Sequence, residues 1–429
     1  MLRLHIVSTG GSQSVLWSSS PQASLPLQPR RAHAAPSRAG PTLADRKKES
    51  RRVLQPKSGP RSPAVGAAIV CGALLLTACG STGGSRSAST PSAAPSPAAT
   101  GIACGKAAAV PASGSTAQEF AMKFWIENYM RACPGTRITY EGNGSGAGQT
   151  DFLKGRTAFA GSDSALSAAQ VDQSKSACSD GGQAVHLPMV GGPIAIGFNL
   201  PGVSRLVLDA PTLAKVFDSQ ITKWNDPAIA KLNPGATLPS TPIRASHRSD
   251  SSGTTDNFTS YLSAAAPGAW LHGHDKVWMA KGGQSAKGSS GLAEQVKKTT
   301  GGIGYVELSY ALARGIPTVS IATGASAPVD ASVLTASKAI AGSTVAGSGD
   351  DLVLKLDYAT KAAGAYPIDM VTYEIVCDKG NKAATWSATK AFLTYISGRR
   401  GQEDLSFQGY ATLPATIVEK VRSRISTLS

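Results

Sequence analysis

PIRASHRSDSSGTTDNFTSYLSAAAP, Pro242–Pro267, reads as three pieces in a row. PIRASHR has the β-branched and small residues of a strand. SDSSG is a turn. TDNFTSYLSAAAP reads as a helix. A helix that opens directly from such a turn presents free backbone N–H groups and the positive end of its dipole, so it attracts anions. Arg248 and the hydroxyls of Ser252 and Thr254 add donors, and Gly253 lets the backbone come close. Asp250 then poses a problem, because it sets a carboxylate among the donors of an anion site.

The same design recurs along the chain. PASGSTAQEF (111–120) puts Ser113, Ser115 and Thr116 before a helix, and EGNGSGAGQTDF (141–152) puts Ser145 in a glycine-rich turn before the next. AGSDSALS (160–167) ends a strand at Asp163. Strand-like and helix-like pieces alternate elsewhere too. RITYEG, TAFAGSD and GGIGYVE read as strands, and AQEFAMKFWIENYMRAC, APTLAKVFDSQ, DPAIAKLNP and LSYALARG as helices. AVHLPMVGGPIAIGFNL reads as a β-rich stretch broken by Pro188 and by the GGP at 191–193. Alternation of this kind predicts α/β sheets covered by helices. Each loop alone is also the ordinary signature of a helix N-cap. Neither a GxxxxGK[ST] loop nor a GxGxxG in a strand–helix setting is present, so nucleotide binding has no support.

The chain is long enough for two domains, at 429 residues. Its formal charge of +15 suggests nucleic acid at first. Eleven of its 42 Lys and Arg, but only two of its 27 acids, fall in residues 1–78, leaving 31 against 25 in the rest. That remainder has no dense basic run interleaved with aromatics, so a nucleic-acid partner is not expected. A basic flank (Arg51, Arg52, Lys57, Arg61) precedes a short apolar run, Val65 to Ala78. The run is shorter than the roughly 20 residues that span a bilayer and has the length of a signal-peptide core. It ends in LTAC, which resembles a bacterial lipobox and marks Cys79 as a lipidated mature N-terminus. We read 53–78 as a lipoprotein signal peptide and 1–52 as an N-terminal extension or a mis-assigned start. Residues 79–101, rich in Gly, Ser, Pro and Ala, read as a flexible tether.

Four cysteines remain in the body: Cys104, Cys133, Cys178 and Cys377. An even number in an exported body predicts two disulfides, with three pairings open. Cys104–Cys133 is favoured, because the first lies at the start of a strand and the second at the end of the helix that follows. Cys178–Cys377 is then the other pair. None sits in a CxxC, so zinc is not expected, and no metal or cofactor is assigned.

From Ala109 to near the C-terminus the chain resembles the phosphate-binding proteins of bacterial phosphate ABC transporters, the PstS family. ASGSTA, YEGNGSGAG, AGSD, ITKWNDPAI, HRSDSSGT and GGIGYVE carry the resemblance in that order. It implies a type II periplasmic-binding-protein fold: two hinged α/β domains, mixed sheets flanked by helices, and the ligand in the cleft between them. Domain I would be 102–190 plus 366–429, and domain II 191–365. Ser115, Thr116 and the backbone of Ala117 would meet phosphate from the first loop, Ser145 from the second and Asp163 from the third. Arg248, Asp250, Ser252, Gly253 and Thr254 would line the opposite wall. The family often has a bulkier residue at the place of Ala117, so only a backbone contact carries over there. The resemblance also implies a monomer without enzymatic activity. It would be held on the extracellular face of the membrane by the lipid on Cys79 and would deliver inorganic phosphate to permease subunits of an ABC importer. Other readings are a binder of sulfate or molybdate, a phosphatase, and an adhesin built on the same fold.

Phosphate at neutral pH still carries a proton, and a carboxylate can accept a hydrogen bond from P–OH. Sulfate has no proton to give and would leave that carboxylate facing lone pairs. The proton test is assigned to Asp163. Asp250 is expected to pair with Arg248 and hold its fork toward the anion. His272 and His274 in HGH, with no further His or Cys nearby, read as a surface loop. Ser252 lacks a G-x-S-x-G elbow and is no nucleophile. Trp224 reads as packing and His186 as a strand-end residue.

Overall fold

The computed structural model describes residues 101–429. The signal segment, Cys79 and all of the tether before Gly101 lie outside the described residues. Eight strands form one mixed sheet in the order β2-β1-β3-β12-β4-β8-β6-β7. They are β1 (Ala109–Gly114), β2 (Arg137–Gly142), β3 (Phe159–Ser162), β4 (Ala184–Asn199), β6 (Arg244–Arg248), β7 (Gln284–Ala286), β8 (Gly302–Glu307) and β12 (Asp369–Cys377). Two short ribbons pair β5 (Val207–Asp209) with β9 (Ser320–Ala322), and β10 (Thr344–Val345) with β11 (Leu354–Lys355). β1, β2 and β3 are parallel, as are β6, β7 and β8. β4 and β12 are antiparallel to each other and join the two parallel sets.

Two main hydrophobic cores form, one on each side of that junction. The first gathers Val110, Trp125, Tyr129, Phe159, Leu187, Phe392 and Val421. The second gathers Ile196, Phe198, Phe217, Trp224, Phe258, Tyr305 and Ile321. We call the body around each core a lobe. β4 contributes Leu187 to the first core and Ile194 to Phe198 to the second. Nearly all of its residues are buried, the pattern of a strand covered on both faces.

β4 differs from the sequence reading, because it continues unbroken through Pro188 and Gly191–Gly192–Pro193. Its register with β12 shifts between Thr372 and Tyr373, opposite Val190 and Pro188. A bulge is one of the few places a sheet interior accepts proline, since the missing N–H costs no ladder bond there. β1 starts at Ala109, five residues after Cys104, so Cys104 precedes the strand rather than opening it. Among the described residues no helix is long and apolar enough to cross a membrane.

The disulfides are Cys104–Cys133 and Cys178–Cys377. The second closes a separation of 199 residues and ties the end of β12 to the loop before β4. Replacing Cys178 and Cys377 by Ser is expected to lower stability by about 2–4 kcal/mol through freedom returned to the unfolded chain. Urea unfolding of the variant beside the wild type checks this.

Candidate functional site

The four loops that the sequence singles out meet. Ser145 opens the helix Ser145–Leu153, and Gly144 stands at its N-cap with φ of 98°. A side chain at Gly144 would be strained by that φ, and its Cβ would come 2.7 Å from Asp250 Oδ2. Ser252 caps the helix Gly253–Ala265, its hydroxyl oxygen accepting from Thr255 N at 3.3 Å. Gly253 is the first helical residue, and Thr254 follows it.

Asp163 sits at the centre, directly after β3, and is 4% exposed. Its Oδ2 accepts from Ser115 Oγ at 2.7 Å and from Ser145 Oγ at 3.2 Å. Its Oδ1 accepts from Thr372 Oγ1 on β12 at 2.9 Å. Burial pushes the Asp163 carboxyl up to about 6; the Ser115 hydroxyl pulls it down, and the charge of Glu307 adds to the rise. Ser115 Oγ also accepts from Ala117 N at 3.0 Å, which folds the first loop tightly before its helix.

The opposite wall is built on Arg248, the last residue of β6 and 2% exposed. Its Nε and Nη2 both donate to Asp250, at 2.8 and 2.5 Å. Burial works against the guanidinium charge, and the Asp250 carboxylate more than offsets it. Burial likewise pushes Asp250 up, and Arg248 outweighs it and holds the carboxyl below its ordinary value. Gly288 N also donates to Asp250 Oδ1 at 2.9 Å. Asp250 thus pairs with the arginine and with a helix start, and it fixes the direction of the guanidinium fork.

The walls touch. Gly253 N donates to Ser145 Oγ at 3.1 Å, and Gly146 N to Ser251 O at 3.0 Å. Asn257 Nδ2 donates to Asp163 O at 2.8 Å, and Ser164 Oγ to Asp256 Oδ2 at 2.6 Å. Thr116 Oγ1 lies 2.7 Å from Ser289 Oγ. Ser145 and Asp163 therefore lie against Gly253, and Thr116 against Ser289, across a closed contact.

Four residues at this contact were not singled out from sequence. Ser289, in the first turn of the helix Gly288–Lys298, accepts from Arg248 Nη1 at 3.1 Å. Glu307, the last residue of β8, accepts from Thr254 Oγ1 at 2.6 Å and Ser289 Oγ at 2.9 Å. Thr372 and Asn257 hold the side chain and the backbone of Asp163. In HGH, His272 bonds Asp218, and His274 bonds Asp256, the partner of Ser164, each at 2.7 Å. Trp224 is fully buried, its Nε1 donating to Gly301 O at 3.1 Å.

Asp163 makes stability depend on pH with a definite sign. Its folded value, about 6, lies above the ordinary 3.8, so the folded chain keeps a proton that the unfolded chain has lost. Its contribution is full below the ordinary value and falls as pH rises through the folded one. The span corresponds to about 3 kcal/mol. Asp163→Asn is expected to remove that fall, and the difference between wild-type and variant urea midpoints from about pH 4 to about pH 7, without anion, checks it.

A family model described as a PBP superfamily domain matches residues 87–400. The chain is 46% identical over 319 residues to the phosphate-binding protein PstS 3 of Mycobacterium leprae, covering 74% of this chain and 85% of that protein. It is 42% identical over 374 residues to PstS 2 of Mycobacterium tuberculosis, covering 86% and 99%. A crystal structure of a high-affinity periplasmic phosphate-binding protein, PfluDING, bound with phosphate, matches with a TM-score of 0.61 at 23% identity, over 73% of this chain and 93% of that one. That likeness shows the fold, a two-domain mixed α/β architecture with helices flanking the sheet. The chain belongs to the PBP superfamily and, within it, to the PstS family of phosphate-binding proteins.

Proposed function

We propose that this protein captures inorganic phosphate between its lobes and delivers it to the permease of an ABC-type importer. The carrying observation is the meeting of helix-opening loops around one buried carboxylate and one buried, carboxylate-paired arginine. Relatives named as phosphate-binding proteins support the choice of anion. Phosphate would take donors from Arg248 and from the loop backbones at Ala117, Gly253 and Thr254. Its P–OH would donate to Asp163. Ser115, Thr116, Ser145 and Ser252 would complete the shell. Sulfate, with no proton, would leave Asp163 unmatched.

The lobes would be 102–190 with 366–429, and 191–365, turning on β4 and β12. Closure would order the ligand and expel water. No bond is made or broken, so the protein acts as a carrier and not as an enzyme. Lipid on Cys79 would hold a monomer at the extracellular face of the membrane, with 79–101 as its tether. Two measurements test the reading. Phosphate should raise the melting temperature of protein freed of bound anion, and sulfate should not. Cells lacking the gene should take up less phosphate at low supply. Equal shifts with both anions would contradict the choice of anion.

A further inference from the structure

A buried polar chain supports the first loop. Tyr140, on β2, donates to Ser115 O at 2.8 Å. Gln118 Nε2 donates in turn to Tyr140 Oη at 3.0 Å. Ser115 O and Thr116 N belong to one planar peptide, so a bond that fixes the carbonyl also fixes the direction of the Thr116 N–H. The Gln118 amide acts as well on Glu374 of β12, which lies opposite Gly161 of β3 and Leu187 of β4. Gly161 makes the room for this cluster, since a Cβ there would come 1.9 Å from Gln118 Nε2 and 2.4 Å from Tyr140 Oη. Gln118 and Glu374 are fully buried. Neither Glu374 oxygen completes a hydrogen bond, and nor does Gln118 Oε1. Burial pushes the Glu374 carboxyl well above its ordinary range; the Gln118 amide opposes this, and the charge of Asp163 adds to it. The titratable groups beside it are Asp163, after β3, and Tyr140, whose hydroxyl burial keeps neutral, with Glu119 acting on Tyr140. None of them is a cation.

We propose that Glu374 is a positioning residue of the anion site: a neutral carboxylic acid that braces Gln118 and, through Gln118 and Tyr140, holds the first loop in its binding form. The proposal rests on the phosphate reading above and adds to it a residue that acts through others rather than on the anion. An ionised carboxylate with both oxygens buried and no cation beside it is costly, so the group keeps its proton. That proton turns one of three unpartnered acceptors into a donor, and Gln118 Oε1, unpartnered on the neighbouring amide, can accept it. With Glu374 neutral, Asp163 is the one carboxyl of this cluster left to ionise near the anion.

Infrared difference spectra of the full chain test the proton. Wild type minus Glu374→Gln, at mildly alkaline pH, is expected to show the C=O stretch of a protonated carboxyl. Asp369, also buried without partners, contributes alike to both proteins and cancels. Absence of the band would overturn the proposal. Phosphate titration of anion-free protein tests the positioning. Glu374→Gln keeps a neutral side chain of the same size with a donor, and is expected to bind phosphate within about twofold of the wild type. Glu374→Met removes the donor, and Tyr140→Phe removes one hydroxyl from the middle of the chain; each is expected to weaken binding about tenfold. The double variant should be no weaker than either single one, because both cut the same chain. A Glu374→Gln as weak as Glu374→Met, a Tyr140→Phe that binds like the wild type, or losses that multiply would each overturn it. If Glu374→Met does not fold, the band and the other two single variants still decide. A wild type that binds no phosphate would overturn the phosphate reading and this role with it, while the band reports the proton separately.

Discussion

Arg248→Met is expected to abolish tight phosphate binding and to destabilise the protein at neutral pH. The substitution keeps most of the apolar stem and removes the charged fork. Losing one partner of a buried, hydrogen-bonded charge pair costs about 2–5 kcal/mol in binding, so affinity should fall on the order of 10³-fold. Folding should suffer as well, by up to about 3 kcal/mol, because Asp250 would be left as a partly buried charge without its cation. The pH dependence carries a signature. In the wild type Arg248 holds Asp250 below its ordinary value, so the pair contributes stability above the ordinary carboxylate range and loses it as pH falls through the depressed value. In the variant burial, the largest influence on Asp250, is opposed only by backbone N–H groups such as that of Gly288, so Asp250 should rise and stability should recover as pH falls. Adding Asp250→Asn should restore most of the stability and none of the binding. Urea unfolding and phosphate titration of the single and double variants check all three expectations.

Gly253→Ala is expected to separate binding from folding. Gly253 does not have a positive φ, so its backbone accepts alanine. Space is the obstacle, since a Cβ there would lie 2.6 Å from Asp163 Cβ and 2.7 Å from Ser145 Oγ. Both of those atoms belong to the opposite wall, so under the proposed closure of the lobes the clash arises only in the closed form. Overpacking of this kind costs about 1–3 kcal/mol, and the Gly253 N to Ser145 bond would be strained as well. Affinity should drop roughly 10²- to 10³-fold. Thermal stability without ligand should stay within about 1 kcal/mol of the wild type. A melt unchanged in buffer but no longer raised by phosphate is the expected result.

The parts of this molecule that are local in sequence were legible, and those that depend on closure were not. Strand, Ser/Gly turn and helix start lie within a dozen residues of each other, so Ser115, Ser145, Asp163 and Arg248 could be found one loop at a time. The favoured cysteine pairing was right although its strand premise was not: Cys133 does end the helix, while Cys104 lies five residues before the strand. Ser289 escaped because β7 before it is only three residues long, too short to give a pattern. Glu307 closes GIGYVE, where a terminal charge looks like any strand end. Its role arises only when Thr254 and Ser289 arrive from other elements. Thr372 lies in β12, a fully buried strand that the sequence reading left unassigned together with everything after Gly315. Pro188 and the GGP misled in β4 because the bulge that admits proline is set by the partner strand, about 180 residues away along the chain.

The central claim is that a buried carboxylate among donors selects a protonated tetrahedral anion. Calorimetric titration of anion-free wild type and Asp163→Asn with phosphate and with sulfate at neutral pH tests it most directly. The wild type should bind phosphate tightly and give no heat with sulfate, a discrimination on the order of 10⁴-fold. Asp163→Asn should lose most of that discrimination, binding phosphate more weakly and sulfate measurably. Sulfate that binds the wild type as well as phosphate does, or a variant that still excludes sulfate while binding phosphate, would contradict the account.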